Sequence, residues 1–519
     1  MKWLCAAGGA VAFLFSATLP ALAQEVRLSA RDGALEVSGT LLDFDGEFYR
    51  IDTVYGVLTI DGAGVACDGA ACPDPAAFVS DFMVSGASET GAVLLPAILE
   101  SFAQSRGFAA RRIVEDDSHF AYELTDPNSE TLVASVRFLV STSDEGFADL
   151  LAEQATIAMS FREISPAERE RALGAGLGDL SDPARSRIVA LDGMVPVVAR
   201  ENPVQASASP VLAEVFAGEV STWSGLGGDT AEIALHLLSR ESGLGRSFDT
   251  LVMRPSRAAT AADITRHATA QDLADAVAAA PRAIGIAPFS EIGNTRAVAL
   301  TGPCGYQNRA SVTALKSEDY PLTVAHFLYT PQQRLPRIAR ELLAFTQSPE
   351  AQIAIRAAGF VDQAPERHPL AEQGDRLAKA SLNSGSEIGT AELKRMIAAL
   401  DGADRLALSF RFDGGSTTLD AQSRGNIALL AAEIERGEFD GRDLLFAGFS
   451  DGRGRAVDNR TLSLRRAEAV RDAVGAFTDT TALFAVDLEA DGFGEALPMA
   501  CDDDAWGQKV NRRVEVWVR

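Results

Sequence analysis

The sequence is poor in basic residues, and this shortage limits the partners that the chain can have. Its 519 residues include 47 Lys and Arg against 72 Asp and Glu, which leaves a formal net charge of −25. A field of this sign repels nucleic acid and anionic lipid, so we expect neither as a partner. A small anion is still compatible with this charge, because helix N-termini and single arginines act locally.

Long apolar runs are also scarce and occur only at the start of the chain. Lys2 precedes an apolar stretch over residues 3–19, and residues 21–23 have the small-x-small pattern of a signal cleavage site before Gln24. We therefore predict a signal peptide over residues 1–23 and export of the rest. No later segment has about 20 uninterrupted apolar residues, so the sequence predicts no membrane span.

Histidine and cysteine are too few to indicate a metal centre. None of the five His lies near a Cys at ligand spacing, so we predict no metal site. Four Cys follow the predicted cleavage site, and the short spacing in CDGAAC predicts a disulfide between Cys67 and Cys72 in an oxidising compartment. For Cys304 and Cys501, a second bridge and two free buried thiols stay open as alternatives.

Signatures of catalysis are missing as well. The chain has no nucleophile-base constellation, H-E-x-x-H motif, P-loop or dinucleotide fingerprint. The stretch GAGLGDL has no dinucleotide-fold strand before it, and we interpret its glycines as loop residues. Residues 502–504 are three adjacent carboxylates that cannot all face one Ca²⁺ from a regular strand. The sequence therefore predicts a non-catalytic protein without a cofactor.

The length and the changes in residue pattern predict several domains. Short alternating runs separated by Asp-Gly turns predict a small β-domain over residues 24–75. Strands that alternate with amphipathic helices predict an α/β domain with largely parallel sheets over residues 76–365. We predict a polar linker with one helix over residues 366–404, and a final strand-and-helix unit over residues 405–519.

The C-terminal unit carries the most specific motif. The stretch FAGFSDGRGRAVDNRTLSLRRAEAVRDAV predicts a strand, a Gly-rich turn and an amphipathic helix that Asn459 can cap. Together with the closing NRRVE, it resembles the OmpA-like peptidoglycan-binding family, whose T-D, N-x-x-L-S-x-x-R-A and N-R-R-V-E motifs occur in this order. The matching residues are Ser450, Asp451, Gly454, Asn459, Leu462, Ser463, Arg466, Ala467, Asn511, Arg512, Arg513, Val514 and Glu515.

This resemblance implies a site for the diaminopimelate of the cell-wall peptide, which presents a carboxylate and an ammonium on one stereocentre. Asp451 takes the ammonium and Arg466 the carboxylate, since a planar guanidinium binds a carboxylate bidentately. Ser450, Asn459 and Arg513 complete the expected set. The alternative is that Asp451 and Arg466 form a surface ion pair beside a turn, worth about 0–1 kcal/mol.

The region over residues 76–365 resembles the phosphate-type periplasmic binding proteins, which have a two-lobed α/β fold. The resemblance lies in ALDGMVPVVARENPVQASASPVLAEVFAGEVSTWSGLGG, AIGIAPFSEI, DYPLTVAHFLYT and SPEAQIAIRAAGFV, in family order. It implies a ligand site for phosphate or another oxyanion. The candidate ligand residues are Ser88, Thr90, Ser143, Arg240, Ser242 and Gly243.

The central site also departs from the family pattern at three positions. Leu244 replaces a hydroxyl donor, Glu89 stands at a donor position, and Arg240 is two residues out of register. A carboxylate beside a dianion is unfavourable by several kcal/mol unless it is protonated. We therefore expect no submicromolar binding of orthophosphate.

Two classes of function remain open on the sequence alone. The first is a wall-tethered binding or scaffold protein in the periplasm, associated with the cell wall or the outer membrane. The second is the substrate-binding component of a phosphate or anion transporter of the ABC type, which adjacent permease and ATPase genes would favour. Because a tether to peptidoglycan impedes shuttling to a permease, we favour the first.

Overall fold

The computed structural model describes residues 25–31, 36–75, 77–383, 387–412 and 416–519. It divides the chain into two units, Met1–Ser80 and Asp81–Arg519. The predicted signal peptide, residues 1–23, lies outside the described residues. None of the described helices is long and apolar enough to cross a membrane.

The N-terminal unit is an antiparallel sheet in the order β4-β3-β2-β1-β5. Its strands are β1 (Glu25–Ala30), β2 (Glu36–Phe44), β3 (Phe48–Thr53), β4 (Gly56–Asp61) and β5 (Val65–Asp68). Alternate residues such as Val26, Leu28 and Ile51 are buried on one face, which is the period of a half-buried strand. The predicted disulfide is confirmed: Cys67 and Cys72 are bonded, with their Cα atoms 5.8 Å apart.

The central region alternates strands and helices, as its residue pattern predicts. Its strands are β6 (Ser80–Ala87), β7 (Ala109–Val114), β8 (His119–Asp126), β9 (Thr131–Ser141), β10 (Ile157–Ser160), β11 (Ser186–Val198), β12 (Ala206–Ala208), β13 (Ala234–Leu238), β14 (Thr265–His267), β15 (Ala283–Pro288), β16 (Arg296–Ala297), β17 (Ala299–Thr301), β18 (Gln307–Asn308) and β19 (Thr323–Tyr329). Its helices are α1 (Ser88–Gly91), α2 (Leu94–Arg106), α3 (Ser143–Leu151), α4 (Pro166–Gly174), α5 (Ser209–Phe216), α6 (Gly243–Phe248), α7 (Ala270–Ala279), α8 (Val312–Lys316), α9 (Arg337–Phe345) and α10 (Pro349–Ala357).

The main central sheet has the order β14-β13-β15-β11-β19-β10-β6-β9-β8-β7, with β16 beside β11. It is mixed, so the prediction of largely parallel sheets is wrong. Parallel pairs join β6 to β10 and β13 to its two neighbours. The long strand β11 and strand β19 run antiparallel to each other, and β7, β8 and β9 form an antiparallel meander, which short connections allow.

The C-terminal region folds around a sheet in the order β20-β21-β24-β22-β23. Its strands are β20 (Arg367–Pro369), β21 (Asp404–Arg411), β22 (Arg442–Phe449), β23 (Val486–Gly492) and β24 (Arg513–Val518). Its helices are α11 (Gly374–Asn383), α12 (Thr390–Leu400), α13 (Ala421–Glu435), α14 (Ala456–Phe477) and α15 (Ala505–Asn511).

The predicted linker over residues 366–404 belongs instead to this C-terminal fold. Strand β20 pairs with β21 at the edge of the sheet. Met396 and Leu400 on α12 are fully buried in the same apolar cluster as Trp517 of β24. The segment is polar on average because its helices are amphipathic, and only their apolar faces contact the sheet.

A buried ion cluster joins the central region to the C-terminal sheet within the second unit. Asp319, which follows α8, accepts hydrogen bonds from Arg405 at 2.7 and 3.2 Å and from Arg411 at 3.1 Å. Burial alone would raise the pKa of Asp319, but the two guanidiniums outweigh burial and lower it. Separating the two regions would leave these buried charges unpaired, which is unfavourable. The ion cluster therefore stabilises one arrangement of the two regions.

A second disulfide strengthens the same junction. Cys304 of the central region is bonded to Cys501 of the C-terminal region, with their Cα atoms 5.6 Å apart. This settles the pairing that the sequence left open. The indole nitrogen of Trp506 on α15 also donates to the carbonyl oxygen of Leu251 at 2.7 Å. The two regions are therefore linked both covalently and by hydrogen bonds.

Candidate functional site

Strand β22 and helix α14 approach closely and so position the C-terminal site. Gly448 permits this approach, since a Cβ there would lie 2.0 Å from the carbonyl oxygen of Ser463. The chain continues from β22 through Ser450 and Asp451, while Arg466 lies one helical turn after Ser463 on the same face of α14. The hydroxyl of Ser450 is buried and has no hydrogen-bond partner among the described residues.

Arg466 is fully buried, yet two of its guanidinium nitrogens have no hydrogen-bond partner in the described part of the chain. Its Nε donates to the carbonyl oxygen of Ser416 at 3.1 Å, and the guanidinium lies 5.0 Å from the centre of the Phe412 ring. Burial lowers the pKa of Arg466, nearby Arg512 lowers it further, and Asp451 opposes both. Two unpaired N–H donors in a planar fork can bind a carboxylate bidentately.

Asp451 pairs with Arg512 and not with Arg466. Its Oδ2 accepts a hydrogen bond from Arg512 at 2.8 Å, and its Oδ1 accepts one from the backbone N–H of Arg453 at 3.1 Å. Among the described residues, Asp451 and Arg466 therefore do not form the surface ion pair that was the alternative interpretation. Arg512 belongs to the matching motif but was not predicted to have a role in the site. Adjacent residues at the start of a strand face opposite sides, so only one of Arg512 and Arg513 can face the site.

Each guanidinium nitrogen of Arg513 is already hydrogen-bonded inside the domain, unlike those of Arg466, so the structure does not support the expected contact with peptidoglycan. Arg513 has no exposed surface, and its Nε donates to Glu515 at 2.6 Å. Another guanidinium nitrogen donates to the carbonyl oxygen of Leu497 at 2.8 Å, and the group lies 4.4 Å from the centre of the Phe449 ring. Burial lowers the pKa of Arg513 to about 9, against the opposing charge of Glu515. Its position is that of a structural side chain.

Asn459 lies within α14, so the prediction that it caps this helix is wrong. The helix begins at Ala456, with Arg455 at the cap position. The side-chain nitrogen of Asn459 donates to Glu495 at 2.8 Å. Burial raises the pKa of Glu495, the bond from Asn459 opposes this, and Asp502 raises it further. Asn459 thus orients a carboxylate near the turn that contains Asp451.

In the central region, the parallel pairing of β6 and β10 brings two loops to one sheet edge. Val84 pairs with Ile157, so the residues that follow each strand leave the sheet at the same end. Glu89 follows β6 and Phe161 follows β10. Helix α6 begins against both of them: a Cβ on Gly243 would lie 2.6 Å from the Cβ of Phe161 and 3.2 Å from a carboxylate oxygen of Glu89.

The carboxylate of Glu89 occupies the place where the resemblance predicts an anion. Its Oε1 accepts a hydrogen bond from the backbone N–H of Leu244 at 2.9 Å, and its Oε2 accepts one from the hydroxyl of Ser88 at 3.3 Å. Together with Phe161 packed against Gly243, it fills the space at the start of α6. The predicted ligand residue Ser88 therefore donates to a carboxylate of the protein itself, and the residue after Gly243 does the same.

The other predicted hydroxyl ligands already form hydrogen bonds within the protein. These bonds join Thr90 Oγ1 to His326 Nδ1 (3.0 Å), Ser143 Oγ to Phe161 N (3.1 Å) and Ser242 Oγ to Gly245 N (3.0 Å). In the last two, the hydroxyl oxygen accepts a backbone N–H, and Ser242 thereby caps α6. These hydrogen bonds stabilise the loops around Glu89 and hold the three hydroxyl groups in contacts within the protein.

The electrostatics of this cleft are those of an acidic site. Burial raises the pKa of Glu291, and the nearby charges of Asp192 and Glu89 raise it further. The charges that act on Glu291 do not include Arg240, whose guanidinium donates to Thr260 Oγ1 at 3.4 Å. A group of carboxylates disfavours a bound dianion. Among the described residues, no group of three or more His, Cys, Asp or Glu could hold a metal ion either.

Comparison with known proteins matches two regions of the chain to families. Residues 120–350 match the PBP superfamily domain, and residues 411–512 match the OmpA family. The two-lobed fold of periplasmic binding proteins and the C-terminal OmpA domain are therefore those predicted from the sequence. The chain matches no curated protein.

Three solved structures illustrate the similarity. A protein from Clostridium perfringens solved with bound phosphate is 17% identical, over 54% of this chain and 99% of that one, with a TM-score of 0.42. An ABC-type phosphate transport receptor from Vibrio cholerae is 18% identical over 54% and 99%, with a TM-score of 0.40. The peptidoglycan-associated lipoprotein from Burkholderia pseudomallei is 25% identical over 21% and 89%, with a TM-score of 0.19.

Proposed function

We propose that this chain, which contains a PBP superfamily domain and an OmpA family domain, is a non-catalytic periplasmic binding protein held on peptidoglycan by its C-terminal domain. The observation that carries the proposal is the fork of Arg466, whose two unpaired nitrogens lie near Asp451. A buried donor without a partner is unfavourable by about 1–3 kcal/mol, and more when it is charged. A ligand carboxylate recovers this free energy.

Diaminopimelate fits this arrangement because its carboxylate and ammonium share one carbon. The carboxylate binds the two free nitrogens of Arg466, and the ammonium lies against Asp451. Each hydrogen bond between charged groups contributes about 1.5–3 kcal/mol. Arg466 has no exposed surface before binding, so the peptide reaches it only after a local rearrangement. Asp451 already shares its charge with Arg512, so its own contribution is the smaller one.

The junction between the two domains favours a fixed binding or scaffold protein over a shuttling transport component. The Cys304–Cys501 disulfide and the contacts of Asp319 with Arg405 link the central domain to the C-terminal domain. A central domain linked in this way moves only with its anchor. The internal bond of Glu89 further supports a role other than delivery of phosphate.

Co-sedimentation of the full exported chain with insoluble peptidoglycan tests the anchor. We expect Arg466→Ala with Asp451→Ala to abolish co-sedimentation, while thermal unfolding shows that the variant is folded. The matched control is Arg471→Ala with Asp472→Ala, which removes a surface ion pair of 2.7 Å on the same helix. The proposal is wrong if the first double variant sediments as the wild type does.

A further inference from the structure

A cavity of about 910 Å³ lies between the central domain and the C-terminal domain. The central domain contributes apolar residues that include Leu237, Phe248 and Phe327, and the C-terminal domain contributes Gln422 on α13 and Lys509 on α15. Sites for small molecules span about 300–1,000 Å³. The cavity therefore has room for an organic molecule much larger than orthophosphate.

The lining of this cavity is nearly balanced in charge, although the chain as a whole is acidic. Seven basic and six acidic residues line it, while the whole chain has a net charge of −25. Glu318 is one of the six. Burial and then the charge of Asp420 raise its pKa to about 8, against the opposing charges of Arg411 and Lys509. The raised pKa of Glu318 means that it carries less negative charge near neutral pH than an ordinary Glu, which shifts the balance of the lining toward positive charge.

Two of the arginines converge on one hydroxyl, and Glu241 is a carboxylate that acts on both of them without forming an ion pair. Arg240 and Arg266 both donate to Thr260 Oγ1, at 3.4 and 3.5 Å, and Arg266 also donates to the carbonyl oxygen of Leu238 at 2.9 Å. Neither forms an ion pair within the described ranges of the chain. Burial lowers the pKa of Arg266 and the charge of Arg240 lowers it further, whereas the charge of Glu241 opposes both. An anion between two such guanidiniums relieves their repulsion.

The wall from the C-terminal domain offers further unpaired polar groups. The side-chain nitrogen of Gln422 is buried without a hydrogen-bond partner, and so is Oε1 of Glu318 on the facing domain. Lys509 is exposed to solvent and forms no ion pair with any described residue. Polar groups without hydrogen-bond partners therefore lie on both domains, and apolar residues line the space between them. A ligand with a polar group at each end could bind both sets.

We propose that this cavity binds a small organic dianion, with one anionic group between Arg240 and Arg266 and the other end near Lys509 and Gln422. The proposal rests on the solute-binding role of the central domain stated above. It places the solute in this cavity, which shares Arg240 and Phe161 with the region of the predicted oxyanion site. The OmpA domain then serves two purposes, because it holds the chain on the wall and also forms part of the solute site.

Titration calorimetry on the full exported chain at constant ionic strength tests this site. The probes are glutarate, glycerol 3-phosphate and inorganic phosphate, which separate a dicarboxylate, a phosphate ester and a bare oxyanion. We expect at least one organic probe to bind, and Arg240→Gln with Arg266→Gln to weaken it at least about tenfold. Lys509→Gln, at an exposed position, should weaken it several-fold, whereas the surface control Arg471→Gln should leave it unchanged.

Three results would overturn the proposal: no organic probe binds the wild type, only inorganic phosphate binds, or the Arg240 and Arg266 double variant binds as the wild type does. If that double variant does not fold, Lys509→Gln decides the question in the same way. Co-sedimentation with peptidoglycan should be unaffected in all these variants. A failure of the cavity proposal is therefore distinguishable from a failure of the anchor.

Discussion

The C-terminal site and the central cleft both place hydrogen-bond donors where the sequence resemblances predict a bound carboxylate or phosphate, but the donors are in different states. In the cleft, the carboxylate of Glu89 accepts the N–H of Leu244 and the hydroxyl of Ser88. At the C-terminal site, two nitrogens of Arg466 have no partner among the described residues. Donors that are already bonded stabilise the fold, whereas buried unpaired donors retain free energy for a ligand. Whether a donor already has a hydrogen-bond partner within the protein therefore indicates its function better than the sequence motif alone.

The largest expected effect comes from replacing the fork of Arg466 by a point charge. Arg466→Lys keeps the positive charge but loses the second parallel hydrogen bond and the planar geometry. We expect the affinity for a soluble peptide containing diaminopimelate to fall about 10²-fold, measured by calorimetry. Arg471→Lys on the same helix is the control and should bind as the wild type does. An unchanged affinity of Arg466→Lys would remove the distinction between the two sites.

The filled cleft should bind orthophosphate weakly. Because Glu89 occupies the donors at the start of α6, we expect a dissociation constant above about 1 μM, which corresponds to roughly −8 kcal/mol. Calorimetry should use the full exported chain, since buried contacts such as that of Asp319 with Arg405 join the domains. A dissociation constant below about 1 μM would show that the internal carboxylate does not block the cleft.

Removing the internal carboxylate should partly open the cleft. In Glu89→Ala, the N–H of Leu244 loses its partner and one negative charge disappears beside Glu291. We expect phosphate to bind about tenfold more tightly than to the wild type, although still weakly, and the melting temperature to fall. The control is Glu170→Ala at an exposed position of α4. Equal phosphate affinity in Glu89→Ala and the wild type would contradict this interpretation.

The smallest expected effect concerns Glu318, where the two regions meet. Burial and then the charge of Asp420 raise its pKa to about 8, Asp319 raises it further, and Arg411 and Lys509 oppose this. In the unfolded chain the group has an ordinary Glu pKa, so between about pH 4.5 and 8 the folded form binds more protons. The free energy of unfolding therefore falls as the pH rises through this window.

Glu318→Gln should remove that loss. We expect the variant to match the wild type at pH 5 and to be more stable at pH 9 by roughly 1 kcal/mol or more, measured by denaturant unfolding. Glu170→Gln, at an exposed position, serves as the control and should follow the wild type at both pH values. If the free energy of unfolding changes with pH in the same way for Glu318→Gln and the wild type, Glu318 is ionised in the folded protein at both pH 5 and pH 9.

Local patterns predicted those features that depend on local physics. Alternation of apolar and polar residues between turns predicted the N-terminal sheet. The five-residue separation of Cys67 and Cys72 predicted their disulfide bond. The order of the motifs gave both domains. The pairing of Cys304 with Cys501, 197 residues apart, depends on how the domains pack, which no local pattern contains.

Side-chain direction and long-range partners explain the predictions that were wrong. Arg513 and Arg512 are adjacent, and only the packing of β24 places one inside and the other beside Asp451. The segment over residues 366–404 is polar enough to suggest a linker, but its apolar face is buried against the sheet. The bond of Glu89 to Leu244 joins residues 155 positions apart, so the sequence could indicate a misplaced carboxylate but not its partner.

The most direct test of the account changes the ligand and leaves the protein intact. Two soluble cell-wall peptides differ only at the third residue: one has diaminopimelate and the other has lysine, which lacks the second carboxylate. Calorimetry with the wild-type chain should show that the diaminopimelate peptide binds at least about tenfold more tightly, because only its carboxylate can pair with the fork of Arg466. Equal affinity for the two peptides would contradict the claim that Arg466 is kept unpaired for a ligand carboxylate.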